Sequence, residues 1–169
     1  RAHIVSCDIH AHRLSTLRST CGRLGVASID AVALDATQAL PFAESSMKFD
    51  RVLVDAPCSG TGTLRGNPEI KWRLTLEDIK KLAKLQLSLL HNASSAVADG
   101  GRLLYSTCSL EPEENEAVIQ GFLDDNAAFR VIRPDVHGDL LAGGGFVRTF
   151  PHRQGSDGFF AAVLEKIAR

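Results

Sequence analysis

The chain has 169 residues, 44% of them hydrophobic, which suits a single α/β-sized domain with its own core. No apolar run is longer than a core helix, so no membrane span is expected, and no charged-then-apolar leader precedes the first element, which predicts a cytoplasmic location. The net charge of −1 gives no global mark of a nucleic-acid binder, and the four cysteines lack zinc-finger spacing, so no metal is expected.

Residues 3–7 read as a short apolar strand ending at Asp8. From residue 10, Leu14, Leu17, Cys21 and Leu24 recur at helical spacing until Gly25 stops the helix. Residues 29–34 alternate as a second strand ending at Asp35, and residues 37–48 form a loop. Residues 49–54 are the third strand, followed by Asp55-Ala56-Pro57-Cys58-Ser59-Gly60-Thr61-Gly62 and a basic loop to Trp72. Thr75 caps the next helix, with Leu82, Leu85, Leu89, Ala93 and Ala96 as its buried stripe and residues 99–101 as its end. Residues 102–105 are the fourth strand, closing at Ser106-Thr107-Cys108-Ser109. Pro112 opens a helix with Glu113 and Glu114 at its positive end and Val118, Ile119 and Phe122 on its apolar face. Strands follow at 129–132, 146–150 and 159–164, the last two as a hairpin. Alternating strands and helices predict a mostly parallel sheet with an antiparallel C-terminal edge, in a single domain over residues 1–169.

Charge is unevenly spread. Between residues 65 and 84 six basic residues (Arg65, Lys71, Arg73, Lys80, Lys81, Lys84) face three acids, whereas residues 111–125 hold six acids and no base.

Three successive strands end in an acid: Asp8, Asp35 and Asp55. A lone aspartate there is usually a turn acceptor. Three on one rim of a parallel sheet suit the hydroxyls and amine of a nucleoside-containing cofactor. Cys58 and Cys108 sit in polar strand ends, where a thiol is placed to act as a nucleophile. Cys7 and Cys21 read as buried small hydrophobes. The six histidines are scattered and read as surface residues.

Taken with Tyr105-Ser106-Thr107-Cys108-Ser109-Leu110-Glu111-Pro112-Glu113-Glu114-Asn115-Glu116, the Asp55 to Gly62 stretch resembles the Sun (Fmu, RsmB) family of RNA 5-methylcytosine methyltransferases. Asn67-Pro68-Glu69-Ile70-Lys71-Trp72-Arg73 and His152-Arg153-Gln154-Gly155-Ser156-Asp157-Gly158-Phe159-Phe160 add to the likeness, which covers essentially the whole chain. The resemblance implies a Rossmann-like class I fold dependent on S-adenosylmethionine. It maps cofactor ribose binding to Asp8, adenine contact to Asp35, and a place between cofactor and target base to Asp55. It assigns Cys108 as nucleophile and Cys58 to product release. Attack by a thiolate on carbon 6 makes carbon 5 of cytosine able to accept a methyl group, and Asp55 would stabilise the charge that develops. The target base must be unstacked. Arg65, Lys71 and Arg73 would hold phosphates, and Trp72 either stacks on a base or packs in the core.

The family's Gly-rich cofactor loop and its strand have no counterpart in the chain, which starts at Arg1. The sequence is therefore read as a piece of a longer protein missing the first strand, monomeric and inactive in isolation. The ending soon after Phe160 is closer to the branch that modifies small-subunit ribosomal RNA. Two alternatives stay open: a DNA cytosine methyltransferase using Cys58 as nucleophile, and an inactive RNA-binding or assembly module.

Overall fold

In the computed structural model, residues 2–42 and 47–168 are described. The chain forms two compact units, Arg1–Ala39 and Leu40–Arg169.

The first unit contains β1 (Ile4–Asp8), α1 (Ala11–Leu24) and β2 (Ile29–Ala33). β1 and β2 pair in parallel, with Asp8 opposite Ala33. α1 stops at Gly25, whose φ of 70° is a left-handed conformation that glycine adopts without a Cβ clash. Leu14 and Cys21 are buried, as their spacing predicts, but Leu24 is exposed. Cys7 is exposed as well, against the expectation of a buried small hydrophobe. β1 is bordered by one strand within its unit, so its side chains are not enclosed as in a central strand.

The second unit contains β3 (Phe49–Asp55), α2 (Ile70–Arg73), α3 (Leu76–Ser94), β4 (Val97–Thr107), α4 (Glu116–Asp125), β5 (Phe129–Val131), β6 (Val147–Thr149), α5 (Pro151–Gln154) and β7 (Phe159–Lys166). Its sheet runs β3-β4-β7-β5, with β6 also on β7. β3 and β4 are parallel, while β7 is antiparallel to β4, β5 and β6. The expected C-terminal hairpin is present, and its connection includes the short helix α5 rather than a plain loop. Part of the expected 37–48 loop, residues 43–46, lies outside the described residues.

Alternation along the strands sends Val52, Val54, Leu103, Tyr105, Phe160, Ala162 and Leu164 to one face. There they meet Leu90 and Ala93 of α3 and Val118, Ile119 and Phe122 of α4. The valine, leucine, isoleucine and phenylalanine side chains among them contribute about 1.5–3 kcal/mol each when fully buried, and the alanines less. On the other face, Leu53 remains 60% exposed.

Two expected boundaries shift. α3 begins with the predicted Thr75 cap, completed by a reciprocal bond with Asp78. It buries Ile79, Gln86, Leu90 and Ala93 rather than Leu82, Leu85 and Leu89, which are half-buried. Leucines surround most of this helix, so apolar spacing alone does not select its inward face. The helix also ends at Ser94, and β4 starts at Val97 rather than residue 102. Between the pairs Phe49↔Val97 and Arg51↔Arg102, β4 spends extra residues in a bulge. Gly100, with φ of 72°, turns that bulge, so the Asp-Gly-Gly run lies inside the strand.

Candidate active site

β3 and β4 are parallel neighbours, so their carboxyl ends deliver two turns side by side. Asp55 pairs with Ser106 in the ladder. The Ser106 hydroxyl donates to Asp55 Oδ1 at 3.0 Å, and the Ala56 N–H donates to the Ser106 carbonyl at 2.9 Å. Three residues past Asp55 and two past Ser106, the chain places Cys58 and Cys108 with their sulfurs 3.2 Å apart. Sequence reasoning selected both thiols and the acid, and the fold brings these three residues together at two adjacent strand ends.

The two thiols are half-buried. Burial pushes the Cys58 thiol up to about 12, helped by the hydrogen bond and charge of Cys108, while the backbone N–H groups of Gly60 and Cys108 pull the other way. Cys58 therefore keeps its proton across the neutral range.

Beneath the thiols lies a polar network that the sequence did not announce. Glu114 is fully buried and accepts four bonds. They come from the Ser59 N–H at 2.9 Å, the Ser59 hydroxyl, the Ser109 hydroxyl at 2.6 Å and Gln86 Nε2 at 2.8 Å. Asn115, also fully buried, accepts from the Thr107 hydroxyl at 2.6 Å and donates to the Ser109 carbonyl at 2.9 Å. Gln86 donates to the Pro57 carbonyl at 2.9 Å, and the Tyr105 hydroxyl donates to the Glu114 carbonyl at 2.6 Å. Burial, followed by the neighbouring Glu114, holds the Tyr105 hydroxyl in its protonated form. The expected role of Glu114 as an acid at a helix start understates its place. It ends a short turn, Pro112–Glu114, ahead of α4 and points inward. No local signal marks Glu114 or Asn115, since an acid and an amide at a helix start are also what a solvent-facing cap would carry.

The C-terminal motif closes the same site. Gly158 N–H donates to the Gly62 carbonyl at 2.8 Å, and Gly62 N–H donates to the Cys108 carbonyl at 2.9 Å. The approach is so close that a Cβ on Gly62 would stand 2.2 Å from the Gly158 carbonyl oxygen. Only glycine fits there.

The basic loop is a run of nested turns leading into α2: Thr63 donates to the Gly60 carbonyl at 2.8 Å, and Asn67 Nδ2 donates to the Thr63 hydroxyl at 3.0 Å. Ile70 packs close to Gly60, which ties α2 to the Cys58 turn. Arg65, Lys71 and Arg73 are exposed. Trp72 is 79% exposed with Lys71 Nζ 4.7 Å from its ring centroid, so of the two expected places for this tryptophan it is not in the core.

In the first unit, Asp8 is the last residue of β1, and Asp35 lies two residues past the end of its parallel neighbour β2. The His10 N–H at 2.7 Å and then Arg13 hold the Asp8 carboxyl below its ordinary range. The Thr37 hydroxyl and N–H, both on Oδ1, do the same for Asp35. Both acids serve as local turn acceptors and are kept ionised. Among the described residues no group of three or more His, Cys, Asp or Glu is arranged to hold a metal, and no helix is long and apolar enough to cross a membrane.

Residues 1–165 match the family described as 16S rRNA methyltransferase RsmB/F. A probable ribosomal RNA small subunit methyltransferase B of Bacillus subtilis is 34% identical over 98% of the chain and 38% of its own length. The crystal structure of PH0851 is similar at 37% identity and a TM-score of 0.89, over 98% of the chain and 37% of that protein. NSun6 from Pyrococcus horikoshii, solved with SFG, is 28% identical with a TM-score of 0.86, over the whole chain and 42% of that protein. The chain thus spans well under half the length of these relatives. It carries the class I methyltransferase fold and belongs to the RsmB/F family.

Proposed function

We propose that the full-length protein methylates carbon 5 of a cytosine in small-subunit ribosomal RNA, with S-adenosylmethionine as donor and Cys108 as nucleophile. The observation that carries this reading is the pair of thiols 3.2 Å apart beside Asp55, at the ends of two adjacent parallel strands. Membership of a family described as 16S rRNA methyltransferases supports the substrate class.

The donor set fits the cofactor: ionised Asp8 and Asp35 lie at and just past neighbouring strand ends and offer acceptors to ribose hydroxyls and an adenine amine. Asp55, at the end of β3, is assigned to the target base. The cofactor, when bound, supplies a methyl group on a sulfonium.

Attack requires Cys108 as the thiolate of the pair, and the Cys58 thiol, 3.2 Å away and raised chiefly by burial, is placed to donate a hydrogen bond to it. Cys108 then forms a bond to carbon 6 of the cytosine, and the displaced electron pair makes carbon 5 nucleophilic. A proton held by the Asp55 carboxyl, which the Ser106 hydroxyl orients, would pass to the ring-nitrogen edge as negative charge develops there, and return when carbon 5 loses its proton. Once Cys108 is bonded to carbon, the part of the Cys58 shift that comes from its neighbour disappears, although burial still acts. Cys58 must first give up its own proton to solvent; the thiolate it leaves can then take up the carbon 5 proton as the bond between Cys108 and carbon 6 breaks, with the electron pair of that bond returning to Cys108. The high proton affinity of Cys58 weighs against the DNA-type assignment with Cys58 as nucleophile. Trp72 offers a stacking face, and Arg65, Lys71 and Arg73 offer phosphate contacts.

The test is to incubate full-length protein with labelled S-adenosylmethionine and unmodified small-subunit RNA, then digest to nucleosides. Label in 5-methylcytidine is expected. Label in another nucleoside, or none, overturns the reading.

A further inference from the structure

We propose that Glu114 is a positioning residue for the thiol pair, setting the distance between Cys58 and Cys108 through Ser59 and Ser109. Its effect on catalysis rests on the two-thiol reading above, while its effect on the thiols does not.

The four residues that flank the two thiols are Pro57, Ser59, Thr107 and Ser109. All four are gripped by three buried side chains. Gln86 takes the Pro57 carbonyl, Asn115 takes the Thr107 hydroxyl and the Ser109 carbonyl, and Glu114 takes Ser59 and Ser109 together. Of these, Glu114 alone bonds directly to both turns. It is itself fixed from two other elements, by Gln86 of α3 and by the Tyr105 hydroxyl of β4 on its carbonyl.

The bond inventory defines its chemistry. A backbone N–H and an amide NH2 can only donate, and the two serine hydroxyls spend their single protons on Glu114 Oε2. Ser109 Oγ meanwhile accepts from the Glu111 N–H at 3.1 Å. Four donors match the four lone-pair directions of a carboxylate, leaving no acceptor capacity for substrate. Burying a carboxylate is costly even when it is satisfied, and an apolar residue of similar volume often serves stability as well. What the carboxylate adds is geometry, since charge-assisted bonds are shorter and more directional than neutral ones. Among the described residues no hydrogen bond joins the Glu114 carboxyl to either sulfur, so it acts through the serines that follow each cysteine.

The experiment uses the full-length protein and its Glu114→Gln variant, equilibrated in glutathione buffers. Cys58 and Cys108 each lose a proton and together give two electrons to glutathione disulfide, yielding the protein disulfide and two glutathione thiols. The fraction of linked Cys58–Cys108 peptide, read by mass spectrometry, gives their effective concentration. Loss of the charge-assisted bonds should lower it about 10- to 100-fold. Methyl transfer should show a matching fall in kcat, with KM for RNA and for S-adenosylmethionine within about twofold of wild type. A folded Glu114→Gln protein whose effective concentration is unchanged overturns the proposal. If that variant does not fold, Ser59→Ala decides instead, since it removes one hydroxyl donor from a half-buried site. A fall of about three- to tenfold supports the positioning role, and no change overturns it. Should the wild-type protein transfer no methyl group, the functional reading fails while the thiol equilibrium still judges Glu114.

Discussion

Replacing Gly62 with alanine strikes the point where three site segments meet. The new methyl group would sit 2.2 Å from the Gly158 oxygen and 2.7 Å from the Cys108 oxygen. Both are backbone atoms, so no rotamer change relieves the clash. Ordinary carbon contacts require the Gly158 carbonyl to recede by roughly 1 Å. That movement breaks the Gly158 to Gly62 bond of 2.8 Å and the Gly62 to Cys108 bond of 2.9 Å. Overpacking costs about 1–3 kcal/mol and each lost backbone bond about 1 kcal/mol, giving about 3–5 kcal/mol in all. Against a total stability of about 5–15 kcal/mol for a typical domain, this is a large fraction. Urea denaturation of the full-length protein reads the loss directly. Gly22→Ala is the control: its Cβ meets nothing within 4 Å, and alanine favours helix, so stability should hold or rise by up to about 1 kcal/mol. A Gly62→Ala protein that loses less than about 1 kcal/mol would refute the close-approach reasoning.

Trp72→Ala should change stability by less than about 0.5 kcal/mol, because the side chain is 79% exposed. The same change should weaken RNA binding by about 1–3 kcal/mol if Trp72 stacks on a base; unaltered binding in a filter assay would remove it from the interface. Lys71→Ala with Arg73→Ala should lower the slope of log affinity against log salt by about 2, and an unchanged slope would deny them phosphate contacts. The Cys58 thiol binds its proton more tightly in the folded state, so the unfolded chain loses that proton first as pH rises. Its contribution is intact below the ordinary thiol value of 9.0 and is lost as pH climbs toward about 12. Over that window Cys58→Ala should flatten the fall of the urea midpoint with pH, and parallel profiles would contradict the raised value.

Much of the site was legible because its chemistry is local. Asp55, Cys58 and Cys108 stand at strand ends, and parallel pairing of β3 with β4 follows from a strand–helix–strand order. The Thr75 cap was equally plain, since capping depends on four consecutive residues. Glu114, Asn115 and Gln86 were not legible, because their roles exist only once β3, β4 and α3 are assembled. By spacing, Glu114 is indistinguishable from a solvent-facing acid at a helix start, and burial is what separates the two. The inward face of α3 and the start of β4 were missed for the same reason. Leucines on several sides of a helix leave its orientation to tertiary packing, and a glycine bulge looks in sequence like a terminator. Trp72 had two readings, and only its exposure chose between them.

The account turns on which sulfur attacks, and covalent trapping measures that. Full-length protein is mixed with S-adenosylmethionine and RNA carrying 5-fluorocytidine at the target, where the fluorine blocks release, and the adduct is resolved on a denaturing gel. Wild type and Cys58→Ala should both form the adduct, and Cys108→Ala should form none. An adduct that survives Cys108→Ala but vanishes in Cys58→Ala would contradict the account.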